Sequence, residues 1–222
     1  MAHLPQSGDS DDPHRGQPIE TAGAPSQAAE AAVIMLHGRG STAQQILRLV
    51  DEFYHHGVIY LAPQAARNRW YPRSGYGPIA DNEPWFSSAL EHVSTAVEMA
   101  TDLDIDPEQI LLFGFSQGAC LASEFVARNP RQYGGLIALS GSLLGPETGT
   151  EYTGSLEGSP VFFGCSTDDP YVAAERIYES QTVFEQLGGE VMARLYDELG
   201  HAINDDEIKM TNTFIERLVS AE

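Results

Sequence analysis

The sequence predicts an α/β fold, in which a mainly parallel, twisted sheet is covered by helices on both faces. Two observations carry this prediction. Short apolar runs typical of strands alternate along the chain with longer segments of helical periodicity, and such alternation favours parallel strands joined by crossover helices. The length of 222 residues suits one domain of this class with a substantial buried core.

The predicted strands are apolar runs bounded by glycine, proline or polar turn residues. In chain order they are an edge strand at 16–20, then 32–36, 58–62, 110–113, 136–139, 161–164 and 191–196. Helices are predicted between them, at 42–53, 88–103, 119–127, 173–187 and 205–219. The segment 88–103 places Leu90, Val93, Val97 and Ala100 on one side, which is typical of a helix packed on a sheet.

The beginning of the chain differs from the rest in composition. Residues 1–13 are polar and acidic, without the apolar centre of a secretory signal. We therefore expect a flexible tail over 1–13 and a single domain over 14–222. No apolar run approaches the ~18 residues of a membrane-spanning helix. Two cysteines, Cys120 and Cys165, do not make a disulfide framework, so a cytoplasmic location is the default expectation.

Acidic residues far outnumber basic ones. The chain has 32 aspartates and glutamates against 12 lysines and arginines, a formal net charge of −20, and Lys209 is the single lysine. Such a charge repels nucleic acid and anionic membrane surfaces, so neither is expected as a partner. Two interpretations stay open, an acidic surface adapted to high salt, which the lysine depletion favours, and an ordinary acidic bacterial protein.

The motif with the most chemical information is Gly-Phe-Ser-Gln-Gly at residues 114–118. It follows an apolar run and precedes a predicted helix. Strand, Gly-x-Ser-x-Gly and helix together form the nucleophile elbow of an α/β-hydrolase, in which a sharp turn exposes the serine Oγ. The glycines are needed because side chains there would collide as strand and helix close on each other. Ser116 is therefore the candidate nucleophile.

A serine nucleophile needs a base, and the base needs an orienting acid. In this fold the chain order is serine, acid, histidine. The predicted strand at 161–164 leads into a turn carrying Asp168 and Asp169, and the loop after the strand at 191–196 carries His201. Each candidate thus follows the carboxyl end of a strand, where open parallel sheets place their sites.

Upstream, the strand at 32–36 runs into a glycine-rich turn, His-Gly-Arg-Gly at 37–40. Such a turn can supply one backbone N–H to an oxyanion hole, and the residue after the nucleophile supplies the other. The candidate donors are the backbone N–H groups of Arg39 and Gln117.

These motifs resemble the phospholipase/carboxylesterase branch of the α/β-hydrolases, which includes bacterial carboxylesterases and acyl-protein thioesterases. The resemblance covers about residues 30–219 and rests on the segments 36–40, 114–119, 169–172 and 200–201. In that family the acid precedes a short Pro/apolar-Val run, which maps to Asp169, with Asp168 as the rival. Family members often have a proline where this chain has Ala173, which leaves the choice of aspartate open.

The segment 64–86 is too long for a plain connection and leaves the end of a strand, so it should lie over the site. We expect Trp70, Tyr71, Trp85 and Phe86 to line an apolar acyl- or aryl-binding cleft. The alternative is that these aromatic rings only pack the loop onto the domain.

The sequence therefore predicts a serine hydrolase that cleaves carboxylic esters or thioesters of small molecules. No metal or organic cofactor is needed, and the protein is expected to be a monomer or homodimer. Two rivals remain: a peptidase or dienelactone-type hydrolase on the same fold, and a non-catalytic ligand-binding module. The serine at 116 counts against a dienelactone-type enzyme, which usually has cysteine there, and the retained order of serine, acid and histidine counts against a binding module.

Overall fold

The computed structural model describes residues 12–146 and 152–219. The predicted tail thus falls largely outside the described residues. Where the described chain begins it already packs on the domain, because His14 is buried, with its backbone N–H 2.8 Å from the Ser88 hydroxyl. The Asp12 carboxylate accepts a 2.6 Å hydrogen bond from that same hydroxyl.

In the described part of the chain, seven strands form one sheet in the order β1-β3-β2-β4-β5-β6-β7. In chain order they are β1 (Ile19–Gly23), β2 (Ala31–Leu36), β3 (Val58–Pro63), β4 (Ile110–Phe115), β5 (Gly135–Leu139), β6 (Pro160–Ser166) and β7 (Glu190–Tyr196). Only β1 runs antiparallel, and it pairs with β3 at the edge of the sheet. The predicted parallel sheet and its edge strand are confirmed, with β1 starting three residues later than expected.

Helices cover both faces of the sheet, as predicted. They are α1 (Ala43–Ile46), α2 (Trp85–Thr101), α3 (Gln117–Arg128), α4 (Ala174–Gln186) and α5 (Asp205–Val219). Helices α2, α3 and α4 pack on one face through residues such as Val93, Leu121 and Phe184. Helices α1 and α5 pack on the other face through residues such as Ile46 and Phe214.

The helix predicted at 42–53 is the main departure in secondary structure. Only Ala43–Ile46 is α-helical, and Leu47–Glu52 continues as a 3-10 helix. The apolar residues Leu47, Val50 and Phe53 recur every third position, and all three pack into the same core. Three residues per turn align them on one side, which explains the tighter helix.

Helix α2 begins at Trp85, earlier than the predicted 88. The Glu83 carboxylate accepts hydrogen bonds from the N–H and the hydroxyl of Ser87, at 3.1 and 2.8 Å. These bonds satisfy a backbone donor in the first turn and extend the helix toward Pro84. Among the described residues, no helix combines the length and the apolarity that a bilayer span requires.

Candidate active site

The turn between β4 and α3 exposes Ser116 at the carboxyl end of the sheet. Ser116 has φ 57° and ψ −122°, a conformation that L-residues rarely adopt. A Cβ on Gly114 would collide with backbone atoms of Gly118, and one on Gly118 would collide with the carbonyl groups of Leu36 and His37. Glycine at both positions therefore lets strand and helix close tightly enough to hold the strained serine.

Ser116, His201 and Asp169 form one chain of hydrogen bonds. Nε2 of His201 lies 2.9 Å from Ser116 Oγ, and Nδ1 of His201 lies 2.7 Å from Asp169 Oδ2. Because a carboxylate can only accept, Nδ1 carries the ring proton and Nε2 is free to accept from the serine hydroxyl. The imidazole is thus held in the tautomer that a general base requires.

The two neighbouring aspartates have different surroundings. The Asp169 side chain is fully buried, and its Oδ1 accepts the N–H groups of Tyr171 and Val172 at 2.9 and 3.2 Å. Its other oxygen is the one that contacts His201. The structure therefore brings Asp169, and not Asp168, to the imidazole.

Asp168 points instead to the base of the histidine loop. Its Oδ1 accepts hydrogen bonds from the Ser166 hydroxyl and, at 3.1 Å, from the Gly200 N–H. The Ser166 Oγ in turn accepts the N–H of Leu199 at 3.2 Å. Hydrogen bonds from Ser166 and then Gly200 hold the pKa of Asp168 below its ordinary value. Asp168 and Ser166 thus fix the backbone that carries His201.

Two aromatic rings flank His201. The Phe115 ring lies 5.0 Å from the imidazole, and the Tyr171 ring lies 4.9 Å away in an edge-on arrangement. Tyr171 is 68% exposed, so it forms an outer wall of the site. These contacts restrict rotation of the imidazole between its two hydrogen-bonding partners.

The turn after β2 lies directly against the elbow. A Cβ on Gly38 would lie 3.4 Å from the Ser116 Cβ, which puts the following Arg39 beside the serine. Gln117 is the first residue of α3, so its N–H has no partner within the helix. Within ranges 12–146 and 152–219, no hydrogen-bond acceptor is found for the backbone N–H of Arg39 or of Gln117.

The Gln117 side chain and His37 fasten the long loop to these two turns. Gln117 accepts the Trp70 N–H at 2.8 Å and donates to the Tyr71 carbonyl at 2.9 Å. The Ala65 N–H donates to Nε2 of His37, so Nδ1 of His37 donates to the Gly38 carbonyl at 2.8 Å. Burial lowers the pKa of His37, which keeps this bridging imidazole neutral.

Only one of the four aromatic residues expected to line the cleft does so. Tyr71 faces the cavity beside Ser116. The expectation is wrong for Trp70, Trp85 and Phe86, which are absent from the cavity wall and pack into the core. The Trp70 indole donates a 2.8 Å hydrogen bond to the His37 carbonyl, which turns its ring inward.

Trp85 and Phe86 are held away from the cavity by other contacts. The guanidinium groups of Arg67 and Arg69 lie 6.0 and 5.1 Å from the Trp85 ring centre. Phe86 packs edge-on against the Tyr71 ring, whose centre is 6.4 Å away. Phe86 therefore supports the residue that lines the cavity and does not line it itself.

A cavity of about 570 Å³ opens over Ser116. Its wall consists of Arg39, Tyr71, Arg73, Ser74, Gly75, Tyr76, Ser116, Gln117, Cys120, Ser140, Leu144, Pro170, Tyr171, Val172 and His201. Neither Cys120 nor Leu144 was predicted from the sequence to line this cavity. Cys120 lies one helical turn after Ser116, on the same face of α3, and this spacing could have indicated its position.

The opposite edge of the sheet has a different character. A cavity of about 480 Å³ there is lined by residues such as Gly134, Pro160 and Glu190, at the amino ends of β5, β6 and β7. None of its described lining residues is a serine, cysteine or histidine. In the part of the chain that the structure describes, no group of three or more metal-ligating side chains comes together. The candidate chemistry therefore concentrates around Ser116.

The carboxyl group of Glu207 is buried against β6. Glu207, in the first turn of α5, forms a capping box with Asn204: its Oε2 accepts the Asn204 N–H at 3.0 Å, and its own N–H donates to Asn204 Oδ1 at 3.0 Å. Its Oε1 is buried without a hydrogen-bond partner among the described residues. Desolvation by burial raises the pKa of Glu207 to about 7. Gly164 of β6 makes room for this carboxyl, since a Cβ there would strike Oε1.

Comparison with known proteins shows the family to which the chain belongs. The family model for phospholipase/carboxylesterases matches residues 18–219. Acyl-protein thioesterase 1 of Saccharomyces cerevisiae is 27% identical over 221 residues, with 88% of this chain and 96% of the yeast protein covered. Carboxylesterase SOBER1 of Arabidopsis thaliana is 24% identical, with 85% of this chain and 91% of the plant protein covered.

Solved structures of phospholipase/carboxylesterases superimpose on this chain. A phospholipase/carboxylesterase from Dyadobacter fermentans superimposes with a TM-score of 0.86 at 40% identity, covering 90% of this chain and 96% of that protein. The Bacillus cereus carboxylesterase shares the fold, with a TM-score of 0.75 at 17% identity and coverage of 92% and 95%. The chain belongs to the phospholipase/carboxylesterase family of α/β-hydrolases, and it is a hydrolase of the esterase type.

Proposed function

We propose that the protein hydrolyses carboxylic esters or thioesters through an acyl-enzyme formed on Ser116. The observation that carries the proposal is the pair of hydrogen bonds of His201, 2.9 Å to Ser116 Oγ and 2.7 Å to Asp169 Oδ2. A nucleophile, a base in the correct tautomer and a buried orienting acid are the three groups that such chemistry requires.

In the first half-reaction, Ser116 Oγ attacks the acyl carbonyl carbon while His201 Nε2 takes the hydroxyl proton. The resulting imidazolium is stabilised by Asp169, which keeps its negative charge. Collapse of the tetrahedral intermediate breaks the bond to the alcohol or thiol, and His201 returns the proton to that leaving group. In the second half-reaction, water attacks the acyl-serine with His201 again as base, which releases the acid and regenerates the hydroxyl.

The backbone N–H groups of Arg39 and Gln117 are the proposed oxyanion donors. Both flank Ser116, and the N–H of Gln117 also lies at the positive end of the α3 dipole. A donor of this kind contributes about 2.7–4 kcal/mol to transition-state stabilisation in other serine hydrolases. Among the aromatic residues of the long loop, Tyr71 remains the proposed contact to the acyl or aryl group.

The rival functions are less well supported by the geometry. A non-catalytic binding module has no need for a strained serine aligned with a histidine and a buried acid. A dienelactone-type hydrolase usually has cysteine at the nucleophile position, where this chain has Ser116.

A 4-nitrophenyl ester series of increasing acyl length, run beside matched acyl thioesters, tests the proposal. We expect turnover with both substrate types in the wild-type protein and loss of turnover in Ser116→Ala. Absence of turnover across the series, in wild-type protein shown to be folded by circular dichroism, would argue for the binding module.

Three further proposals concern the setting in which the enzyme works. The net charge of −20 supports adaptation to high salt. Both cysteines are free and buried, in keeping with a reducing compartment such as the cytoplasm. The oligomeric state, monomer or homodimer, can be measured by sedimentation at several salt concentrations.

A further inference from the structure

The cavity over Ser116 carries a charge opposite to that of the protein. Among the residues that the structure describes, its wall contains two arginines, Arg39 and Arg73, and no aspartate or glutamate. The triad acid Asp169 does not contribute, because its side chain is fully buried behind His201. In a chain with 32 acidic residues against 12 basic ones, a cavity with positive charge alone calls for an explanation.

Three other arginines of the domain, Arg128, Arg176 and Arg194, are paired with acids or donate to carbonyl groups. Arg128 pairs with Glu124 at 2.7 Å, and Arg194 pairs with Asp206 at 2.6 Å. The Arg176 guanidinium stacks over the Tyr76 ring and donates hydrogen bonds to the backbone carbonyl groups of Leu143 and Gly145. These guanidinium groups stabilise the fold and are not available to a ligand.

Arg73 differs from these residues. It is exposed at the cavity, and its guanidinium has no hydrogen bond or ion pair with any residue in ranges 12–146 and 152–219. Its backbone is nevertheless fixed, because its N–H donates to Asn82 Oδ1 at 2.8 Å. Asp81 shares a neighbouring depression with Arg73 but forms no ion pair with it in the described structure.

Arg39 brings a second guanidinium to the same rim. One of its terminal nitrogens donates to the Pro72 carbonyl at 2.6 Å, directly before Arg73 in the chain. The remaining N–H groups of Arg39 are unused by the described residues. Two guanidinium groups at one rim match the geometry and charge of a carboxylate, which arginine binds through paired hydrogen bonds.

The described residues of the inner cavity wall have uncharged side chains. Tyr71 and Tyr76 lie there, and desolvation by burial raises the pKa of Tyr76 to about 12, so its hydroxyl is neutral at physiological pH. Leu144 and Cys120 complete this wall. A neutral acyl chain therefore fits the interior of the cavity. The two arginines at the rim can then bind a charged group at the end of the acyl chain that is far from the ester.

We propose that the preferred substrates are anionic esters, in which a carboxylate on the acyl chain binds Arg73 and Arg39 while the ester carbonyl lies at Ser116. This inference rests on the proposed esterase function and specifies its substrate class. The cleavage itself is unchanged: Ser116 forms the acyl-enzyme, water hydrolyses it, and the products are a dicarboxylate and the leaving alcohol.

The experiment compares the 4-nitrophenyl monoester of adipic acid with the matching monoester of adipamic acid. The two substrates share chain length and leaving group, and they differ by a carboxylate against a neutral amide. In wild-type protein we expect kcat/KM to favour the carboxylate by about tenfold, the lower range for a charged hydrogen bond. Raising NaCl from 0.1 to 1 M should reduce this ratio, since the Debye length falls from about 10 to 3 Å.

Variants of Arg73 locate the effect. Arg73→Gln should lower the carboxylate-to-amide ratio about tenfold, and Arg73→Lys should restore part of it because the charge is kept. Arg48→Gln is the matched control, since it removes the same charge from an exposed residue of the 3-10 helix Leu47–Glu52, outside the cavity wall. That control should keep the wild-type ratio.

Each of the following outcomes would overturn the proposal. A wild-type ratio near one, or a ratio that Arg73→Gln and Arg48→Gln leave equally unchanged, rejects the carboxylate site while the esterase function stands. Failure to hydrolyse either substrate, together with failure to react with a fluorophosphonate, rejects the esterase function as well. A second pair of substrates, 3-butyryloxybenzoate and its amide, carries the charge on the leaving group instead of the acyl chain. If the enzyme preferred the carboxylate in this second pair but not in the adipic pair, binding of the acyl-chain carboxylate at Arg73 would be contradicted.

Discussion

Nε2 of His201 lies 2.9 Å from Oγ of Ser116, although 85 positions separate the two residues in the chain. The parallel order of the sheet explains this contact. Ser116 directly follows β4, His201 follows β7, and both connections lie at the carboxyl edge of the sheet. The hydrogen bonds of Asp168 and Ser166 to Gly200 then fix the histidine loop at that edge. The order of the strands thus brings Ser116 and His201 to the same edge of the sheet, and the hydrogen bonds to Gly200 fix the position of the loop that carries His201.

The two neighbouring aspartates should differ sharply in their effect on catalysis. Asp169→Asn should lower kcat by about 10⁴-fold, because an amide in place of the carboxylate favours the wrong tautomer of His201. Asp168→Asn should lower it less than about tenfold, since the asparagine oxygen can still accept the Gly200 N–H. Steady-state kinetics on a 4-nitrophenyl ester measures both. The reverse order of damage would make Asp168 the orienting acid.

Gly118→Ala should destabilise the fold by about 3 kcal/mol, because the new Cβ meets the backbone of Leu36 and His37. Alanine favours a helix by about 1 kcal/mol over glycine, so this gain is outweighed. Urea unfolding measures the change. Gly77→Ala is the control, since its Cβ would approach only the Ser74 carbonyl, at 4.0 Å. Equal stability of the two variants would show that the elbow is less tightly packed than the distances indicate.

The buried Glu207 should make stability depend on pH. Its pKa is about 7 in the folded protein, above the ordinary value of 4.5, so the folded state binds the proton more tightly than the unfolded state. Its contribution is therefore fully favourable below pH 4.5 and is lost as the pH rises toward 7. Glu207→Gln should gain stability relative to wild type over this window, by at most about 3 kcal/mol.

This prediction is checked by measuring the free energy of unfolding in urea at pH 4.5, 6 and 8 and comparing the variant with the wild type at each pH. Glutamine keeps an acceptor for the Asn204 N–H, so the capping box survives the change. Glu91→Gln serves as control because Glu91 is exposed on α2. A difference for Glu207→Gln that stays constant across the three pH values would contradict the raised pKa.

Salt should stabilise the protein. At low salt the net charge of −20 repels itself, and screening relieves this repulsion as NaCl or KCl rises from 0.1 to above 1 M. A relief of about 2 kcal/mol corresponds to a rise in Tm of about 4–8 °C. Differential scanning calorimetry should show it with chloride salts of both cations. An effect confined to sulfate would indicate salting-out of the core instead, and a flat Tm in NaCl would reject the high-salt interpretation.

The sequence was most informative where local geometry and chemistry coincide. Gly114 and Gly118 around Ser116 predict a sharp turn, because only glycine permits the close approach of β4 and α3. The alternation of predicted strands and helices also predicts the parallel sheet, because consecutive parallel strands need helical crossovers that cover the faces of the sheet.

The directions of the aromatic side chains in the long loop at 64–86 could not be predicted from the sequence. Trp70 turns into the core because its indole N–H donates to the His37 carbonyl, and Trp85 is held by Arg67 and Arg69. Composition indicates that a loop holds aromatic rings but not which way each ring points. The choice between Asp168 and Asp169 is similar, since it depends on one residue of register in a turn.

The most direct test of the account is labelling with a fluorophosphonate, followed by peptide mass spectrometry. The account predicts a single adduct on Ser116 in the wild-type protein and none in Ser116→Ala, with the two proteins sharing the same Tm to within a few degrees. Labelling of Ser116→Ala at the wild-type rate, or an adduct on another serine of the wild-type protein, would contradict Ser116 as the nucleophile.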